Sequence, residues 1–449
     1  MKLCTAIPAF ILFACFHACT APEATIDQYQ ATMVSRFNEK ILEIAIADDN
    51  LLTLKGVRTA AMAHLAIHDA LNSIIPVYGH YVYHELTPGA DPETAAAYAA
   101  YTIVLDQYPD EEENFKQLFD QYVQDISEEP GKVAAQVLGQ ASAKAVLKHR
   151  ALDNWNGIEE YTMHPMAPGV YAEFNEHSGT PEGFVFGAGW AVAKPFALPD
   201  HSYFRAPPPP EINSEAYTEA FEEVKSLGGY RSEGRTEDQT HLAMWWKEFV
   251  ESSHNKLARD LVAKEGLNLW MANRAYALMN MAIYDGYVNV FDNKFHYNHW
   301  RPYTAIRWAE NDGNPDTRAD LEWNNLHRHT YPFPSYPSAH GTASTAAMTI
   351  LAGALGKGDA YPFTMVQTEV DSAGFFSGKM KMNPPTRSFA SFSQAGMEAS
   401  LSRVYLGIHF RYDSVEGHRL GAQIGNYVFA NYLRPFGENP NADQVRRSE

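Results

Sequence analysis

Alanine-rich stretches whose apolar residues recur at helical spacing dominate this chain, and they constrain its fold more than any other feature. Three of these stretches, residues 51–74, 93–107 and 131–152, occupy about half of the region between residues 30 and 152. Helical patterning returns at Asp238 and continues to Tyr432, whereas patterns typical of β-strands are scarce. The sequence therefore predicts an all-α protein built from two packed helical bundles.

A long segment rich in Pro and Gly separates the two helical regions. It runs from residue 153 to 234 and contains four consecutive prolines at positions 207–210. Such composition predicts an irregular connection that lies on the surface of the fold. We expect an N-terminal helical half at 30–152, the irregular connecting segment at 153–234 and a C-terminal helical half at 235–435.

A weak internal repeat links the two helical halves. Five residues of the first half recur at a constant offset in the second, Arg58, Ala61, Ala66, Ile67 and Asp69 as Arg274, Ala277, Ala282, Ile283 and Asp285. One interpretation is a duplicated helical bundle whose halves pack together. The other is a chance similarity between two alanine-rich helices.

The amino terminus has the features of an export signal. Lys2 precedes an apolar run at residues 6–18, and small residues lie near its end, so residues 1–18 are predicted to be a signal peptide. Residues 16–19 resemble a loose bacterial lipobox, which would leave Cys19 as a lipidated terminus. We expect an exported protein, either periplasmic or anchored to the membrane as a lipoprotein, with ordinary cleavage nearby as the alternative.

Charge and cysteine content exclude several classes of function. The net charge of -19 argues against binding to nucleic acid and against charge-driven docking on anionic lipid. Contact with the membrane is therefore expected only through the lipid at Cys19. No cysteine follows Cys19, so the folded part has neither disulfides nor thiolate metal sites. Any anion site must be made locally, by clustered Lys and Arg.

Two short segments of the C-terminal half have the composition of an oxyanion site. Lys294 and Arg301 are seven residues apart, which on a continuous helix places two cations on one face. Ser338 and His340 stand at the start of an alanine-rich helix, whose free N–H groups favour anions. Taken alone, the first segment is better explained as a solvated basic face and the second as a helix cap with an incidental histidine.

The third segment pairs a histidine with a carboxylate. His409 and Asp413 are four residues apart, so on one helix the carboxylate can orient the imidazole. Arg403 and His409 are six residues apart and cannot share a face of one continuous helix. We therefore expect a helix to end near Gly407 and the next one to begin at His409.

In this order the three segments form a composite pattern with ten specified positions. The pattern resembles the signature of the vanadium-dependent haloperoxidases and the type-2 phosphatidic-acid phosphatases. Two further regions resemble the bacterial haloperoxidase branch more than the small phosphatases. They are residues 300–307 and the long N-terminal helical half with Ile67-His68-Asp69-Ala70. Ala339 departs from the pattern, because Gly is usual there, but its backbone N–H remains available.

The resemblance implies a vanadate site and a set of residue roles. Vanadate would be bound by Lys294, Arg301, Ser338, the Ala339 N–H and Arg403, with His409 coordinating the metal, His340 as the acid–base residue and Asp413 orienting His409. Hydrogen peroxide and a halide would be the substrates, hypohalous acid the product, and a small organic molecule a further acceptor. Phe333 matches a site-lining position of chloroperoxidase-like and bacterial iodoperoxidase-like members, and we favour iodide or bromide.

Three other functions remain open at this point. The same residues could serve an acid phosphatase in which His409 forms a phosphohistidine and His340 protonates the leaving group. The absence of cysteine after position 19 favours the peroxidase, which makes an oxidant. A non-enzymatic oxyanion-binding surface lipoprotein would not need the paired histidines. A zinc enzyme would draw on His296, His299, His327 and His329, but these lack HExxH spacing and are more simply surface residues, with the last two near the entrance.

Overall fold

The computed structural model describes residues 25–123, 129–172, 177, 184–374 and 377–436. The described residues form thirteen α-helices: α1 (Thr32–Asp49), α2 (Lys55–Ile74), α3 (Pro92–Gln107), α4 (Glu112–Phe119), α5 (Pro130–Arg150), α6 (Glu215–Leu227), α7 (Glu237–Trp245), α8 (Val250–Glu265), α9 (Leu269–Tyr297), α10 (Pro302–Trp308), α11 (Ala339–Ala354), α12 (Phe392–Leu406) and α13 (Arg411–Asn431). The predicted helical fold is confirmed.

Two long buried helices, one from each half, form the centre of the molecule. Helix α2 packs on α3 and α5 of its own half, and α9 packs on α11 and α13 of the other. The two helices also pack on each other, and nearly every side chain of α2 is buried. This accounts for their alanine content, because small side chains allow helices to approach closely on several sides.

The repeated aspartates have the same structural role in the two halves. The Asp69 carboxylate accepts three backbone N–H groups of residues 81–83 at 2.6–2.8 Å. The Asp285 carboxylate likewise accepts three backbone N–H groups of residues 196–198 at 2.6–2.9 Å. Each aspartate thus fixes an irregular segment against a central helix. This equivalence favours the internal duplication over chance similarity.

The segment between the halves is mostly irregular but contains one unpredicted helix. Helix α6 is capped by Ser214, whose hydroxyl accepts the Tyr217 N–H at 3.2 Å, and it packs on α10, α12 and α13. The start of the segment is fixed by a buried ion-pair cluster in which Arg58 and Arg150 share the Asp153 carboxylate at 2.7 and 2.9 Å. Irregular backbone is therefore held in place by charged hydrogen bonds.

Two small antiparallel sheets, which we did not predict, lie between α11 and α12. Strand β1 (Phe363–Val366) pairs with β4 (Thr386–Phe389), and β2 (Glu369–Asp371) pairs with β3 (Lys379–Lys381). Each strand has only three or four residues, which is too short for an alternating pattern to stand out in the sequence.

The predicted signal peptide and the lipid attachment at Cys19 lie outside the described residues. They stay predictions, which the mass of the amino-terminal peptide of the native protein tests. Among the described residues, no helix is both long and apolar enough to cross a membrane.

Candidate active site

Lys294 and Arg301 meet at a turn, and the prediction that they share one helical face is wrong. Helix α9 ends at Tyr297, because Asn298 adopts a left-handed conformation with φ 47°, and Arg301 caps the start of α10. The turn brings both cations to one loop. Lys294 Nζ donates to the carbonyls of residues 334 and 335 at 3.0 and 2.7 Å, and Arg301 Nε donates to the Phe333 carbonyl at 2.9 Å.

The same loop leads into the start of α11, as predicted. Ser338 is the N-cap residue, and its hydroxyl accepts the Gly341 N–H at 3.3 Å, which leaves the hydroxyl proton free to donate. The first N–H groups of the helix have no partner within the helix. Gly417 of α13 permits this packing, because a Cβ there would lie 2.5 Å from the Ser338 carbonyl oxygen.

His409 lies in a break between two helices, which was predicted near Gly407, but the second helix begins two residues after His409 and not at it. Helix α12 ends at Leu406, Gly407 follows with φ 83°, and α13 begins at Arg411. Asp413 Oδ2 accepts the His409 Nδ1 proton at 2.9 Å and the Phe410 N–H at 3.1 Å. The same oxygen also accepts a hydrogen bond from the Ser335 hydroxyl. Ser335 was missed in the sequence, since a Pro-Ser dipeptide in a loop gives no signal of its own.

Hydrogen bonding at both ring nitrogens fixes the tautomer of His409. The Asp413 carboxylate faces Nδ1, and Arg301 Nη1, which can only donate, lies 3.1 Å from Nε2. The proton is therefore on Nδ1, and the lone pair is on Nε2. Burial lowers the pKa of His409 well below its usual value, and the neighbouring Arg301, Lys294 and Arg403 lower it further. The ring is thus a neutral nitrogen ligand.

Buried positive charge exceeds buried negative charge at this site. Lys294 and Arg301 are fully buried and Arg403 is 3% exposed, whereas Asp413 is the one acidic group among the predicted site residues. Burial lowers the pKa of Lys294, and it lowers the pKa of each arginine to about 10. Arg301 Nη2 has no hydrogen-bond partner among the described residues. Such a cluster is costly unless an anion compensates it.

His340 points a free nitrogen into the same region. Its Nε2 is buried and has no partner among the described residues. Burial lowers the pKa of His340 well below its usual value, and Arg403 and His254 add to this. The neutral ring can therefore take up a proton from a molecule bound beside it.

A cavity of about 690 Å³ opens above these groups. Ala339, His340, Arg403 and His409 form its floor, and Phe333 contributes to its wall. The ring of Phe333 also lies 5.2 Å from Lys294 Nζ and 4.7 Å from the Arg301 guanidinium. The structure thus brings all the predicted site residues together. Some line the cavity: Phe333, Ala339, His340, Arg403 and His409. The others lie directly beside these lining residues: Lys294, Arg301, Ser338 and Asp413.

The histidines considered for zinc do not assemble into a site. No group of three or more His, Cys, Asp or Glu that could hold a metal ion occurs within the described ranges. His329 lines the cavity, whereas His327 is buried away from it and His299 is bonded to the Tyr412 hydroxyl at 2.7 Å. The entrance role proposed for His327 is therefore wrong, since its ring does not reach the cavity.

Comparison with known proteins agrees with this geometry. Residues 274–438 match the family described as the VCPO second helical-bundle domain. The structure resembles the first bacterial vanadium-dependent iodoperoxidase, with a TM-score of 0.70, 20% sequence identity and coverage of 91% of this chain and 98% of that one. The chain has the fold of the bacterial vanadium-dependent haloperoxidases. Residues 294–413, which carry the three motifs, lie within the matched part of the chain, and the fold expected from the resemblance is thereby confirmed.

Two further structures support the haloperoxidase fold. The holo form of a bacterial vanadium-dependent chloroperoxidase has a TM-score of 0.65 and 16% identity, covering 84% of this chain and 91% of that chain. The apo form has a TM-score of 0.62 and 17% identity, covering 83% and 92%. No curated protein matches the sequence significantly.

The cavity also contains a cation that the sequence did not suggest. Lys247 lines the wall, and its ammonium group donates to the Asp371 and Ala373 carbonyls. Burial lowers the pKa of Lys247 to about 7. Its neighbours in sequence match no motif, so only the fold reveals that it belongs to the cavity.

Proposed function

We propose that this protein is a vanadium-dependent haloperoxidase that uses hydrogen peroxide to oxidise iodide or bromide to hypohalous acid. The observation that carries the proposal is the buried excess of positive charge around His409. Three cations and one carboxylate leave an excess of about two charges. A tetrahedral oxyanion of charge near two, such as vanadate or phosphate, compensates that excess.

The residues present fit vanadate. Lys294, Arg301 and Arg403 would bind its oxygens, together with the Ser338 hydroxyl and the Ala339 N–H. The unprotonated Nε2 of His409 would coordinate the metal, and Asp413 would keep the proton on the opposite nitrogen. When bound, vanadate supplies a Lewis acid that works without a change of oxidation state.

His340 would handle protons. The overall reaction consumes one peroxide, one halide and one proton and releases hypohalous acid and water. The neutral His340 ring takes a proton from hydrogen peroxide as it binds and returns one to the oxygen that leaves as water. Its Nε2 has no hydrogen-bond partner among the described residues and is unprotonated in the neutral ring, so it is available to accept the first proton.

The choice of halide rests on the cavity wall and on the structural relatives. Phe333 places an apolar ring between the cations and the cavity, where a large polarisable anion is easily accommodated. The structure with 20% identity belongs to an iodoperoxidase. Iodide is also the most readily oxidised of the halides, and we therefore propose iodide first and bromide second.

Reconstitution with vanadate tests the proposed function. Protein freed of metal is loaded with vanadate, and iodide-dependent consumption of hydrogen peroxide is measured. We expect oxidation only after loading, and slower loading in the presence of inorganic phosphate, because both oxyanions compete for the same cations. The metal-free protein should show slow, unselective phosphatase activity, which vanadate abolishes.

The opposite pattern of activities would identify the second candidate function, an acid phosphatase. The unprotonated Nε2 of His409, with Asp413 bonded to the opposite ring nitrogen, would also suit a nucleophile that forms a phosphohistidine. A loaded protein that oxidises no halide, combined with fast and specific phosphomonoesterase activity without metal, replaces the haloperoxidase with an acid phosphatase.

Ser335 is predicted to position His409. Its hydroxyl donates to Asp413 Oδ2 and lies 3.2 Å from His409 Nδ1. In Ser335→Ala the Asp413 carboxylate loses a hydrogen bond that helps to hold it beside the His409 ring. We expect the vanadate dissociation constant to rise about 10- to 100-fold, as for other groups that orient a metal ligand. Equilibrium dialysis with vanadium analysis measures it.

Two further variants separate positioning from general damage. Ser335→Thr retains a hydroxyl and should recover most of the affinity. Ser344→Ala removes a buried hydroxyl that has no hydrogen-bond partner among the described residues, and it should leave the affinity unchanged. Equal affinities in Ser335→Ala and the unmodified protein would show that the bond to Asp413 is not needed.

A further inference from the structure

A halide has to enter a strongly acidic protein before it can be oxidised. The net charge of the chain is -19, and a surface of that sign repels small anions at long range. The three cations around His409 are the predicted ligands of vanadate, whose charge compensates theirs. Recruitment of a halide therefore requires positive charge elsewhere in the cavity.

Lys247 supplies such a charge on the cavity wall. It follows helix α7, and its ammonium group donates to the carbonyls of Asp371 and Ala373. An ammonium group has three protons, and these two acceptors occupy two of them. No further hydrogen bond and no ion pair involves this group among the described residues. The third proton is therefore available to a ligand in the cavity.

Lys247 adjoins the proposed vanadate site without being part of it. Arg403, which lies on the cavity floor, donates through Nη2 to the carbonyl of Trp246, the residue before Lys247. A third cation, Arg328, lines the same cavity and lies over the Tyr230 ring at 5.1 Å. Arg328 is exposed, Lys247 is partly buried and Arg403 is buried, so positive charge lines the cavity from its surface inward.

We propose that Lys247 binds a halide ion on the cavity wall, at a site separate from the vanadate, and that Arg328 strengthens the attraction. The ammonium group would donate its third proton to the halide in a charge-assisted hydrogen bond. The halide is held there without any covalent step. This inference rests on the proposed haloperoxidase activity and deepens it, because it gives the halide a binding residue.

The charge of Lys247 depends on the groups around it. Burial lowers its pKa to about 7, although the Asp371 carboxylate in β2 acts in the opposite direction. Three cations lower the pKa further: Arg403 of α12, Lys379 of β3 and Arg328 of the cavity wall. A halide bound beside the ammonium group raises the pKa again, so binding above pH 7 is accompanied by uptake of a proton.

Other titratable groups lie close to Lys247. Burial lowers the pKa of His329 to about 4 and holds that of His327 well below its usual value, so both rings are neutral near pH 7. Glu248 and Glu251 line the cavity from the other side of Lys247 in sequence, and burial raises the pKa of Glu251 to about 7. Ionisation of Glu251 also repels a halide, and a test has to separate it from Lys247.

Bromide binding to the vanadate-loaded protein, without peroxide, tests the site apart from catalysis. The NMR line width of bromide reports the bound fraction. Lys247→Met retains the length of the side chain, and we expect its bromide dissociation constant to rise about tenfold. The cations around His409 are the same in both proteins, so the difference isolates Lys247 whether or not vanadate is bound. Equal affinity in the two proteins overturns the proposal.

Two further variants address charge and folding. Lys256→Met removes one positive charge outside the cavity, where Lys256 pairs with Asp260 at 2.8 Å, and it should bind bromide like the unmodified protein. Arg328→Gln changes an exposed side chain that folding does not require, and it should raise the bromide dissociation constant about two- to fivefold. An equal loss in Lys256→Met would show that net charge is responsible and would overturn the proposal.

The pH dependence of bromide binding separates Lys247 from Glu251. In the unmodified protein the dissociation constant should be constant below about pH 7 and should rise above it, by up to about tenfold per pH unit, as the free amine loses its proton. Lys247→Arg keeps its charge and retains Glu251, so most of this rise should disappear. The same rise in Lys247→Arg would assign the effect to Glu251 and contradict the proposal.

Steady-state kinetics connect the site to turnover. In the vanadate-loaded Lys247→Met protein the KM for iodide should rise about tenfold, because the anion has lost its binding residue. The KM for hydrogen peroxide, which is neutral, should not change. An equal rise in both constants would contradict a halide site. A loaded protein that oxidises no halide contradicts the proposed function instead, and leaves the bromide result standing.

Discussion

His409→Ala should retain no vanadium after dialysis and should show no peroxidase turnover. The three cations would still attract an oxyanion, but the coordinate bond from Nε2 would be lost, and binding would become reversible on the timescale of dialysis. Elemental analysis of vanadium per protein chain measures the loss directly. Because the side chain is 4% exposed, melting temperatures should be compared to confirm that the variant folds.

A second buried histidine provides the control for this experiment. His327 is 1% exposed, and its two ring nitrogens have no hydrogen-bond partner among the described residues. His327→Ala creates a cavity of the same size in the same half of the molecule but should keep full vanadium content. Unchanged vanadium in His409→Ala would remove His409 from the metal site.

His340→Ala should separate chemistry from binding. We expect most of the vanadium to be retained, because the anion is held by Lys294, Arg301 and Arg403, while turnover per bound vanadium falls by roughly 10²–10⁴-fold. Steady-state iodide oxidation, normalised to vanadium content, gives this ratio. His329→Ala, which truncates another histidine of the cavity, should change turnover less than tenfold.

The reverse result would give His340 a role in binding the anion instead of a role in proton transfer. If His340→Ala loses vanadium in proportion to activity, its role lies in holding the anion, and the proton must be carried by another group of the cavity. Glu251 would then be the next group to examine, since burial raises its pKa to about 7.

The positions of the three active-site segments could be predicted, because each depends on local chemistry. Ser338 begins a helix, as its hydroxyl and the preceding proline indicate, and Gly407 ends one with a positive φ that glycine tolerates. His409 and Asp413 meet because Asp413, in the first turn of α13, directs its carboxylate back to the Phe410 N–H and the His409 ring. In each case a few neighbouring residues determine the geometry.

The errors arose where distant parts of the chain decide the structure. The turn at Asn298 ends α9 without a glycine or proline, so Lys294 and Arg301 seemed to share a helix. The contact between Ser335 and Asp413 and the placement of Glu251 in the cavity depend on packing between separate helices. Spacing along the chain carries no information about such contacts.

The composition of the cavity wall has a consequence for how long the protein survives its own reaction. None of the residues lining the described cavity is a methionine or a cysteine, although the chain contains 14 methionines. Thioethers and thiols are the side chains that oxidants attack readily. In the proposed reaction, hypohalous acid formed beside His409 would leave through a passage without sulfur, and damage should accumulate on the outer methionines first. Peptide mass spectrometry after extended turnover would show sulfoxide at exposed Met166 and Met380 before it appears in the core.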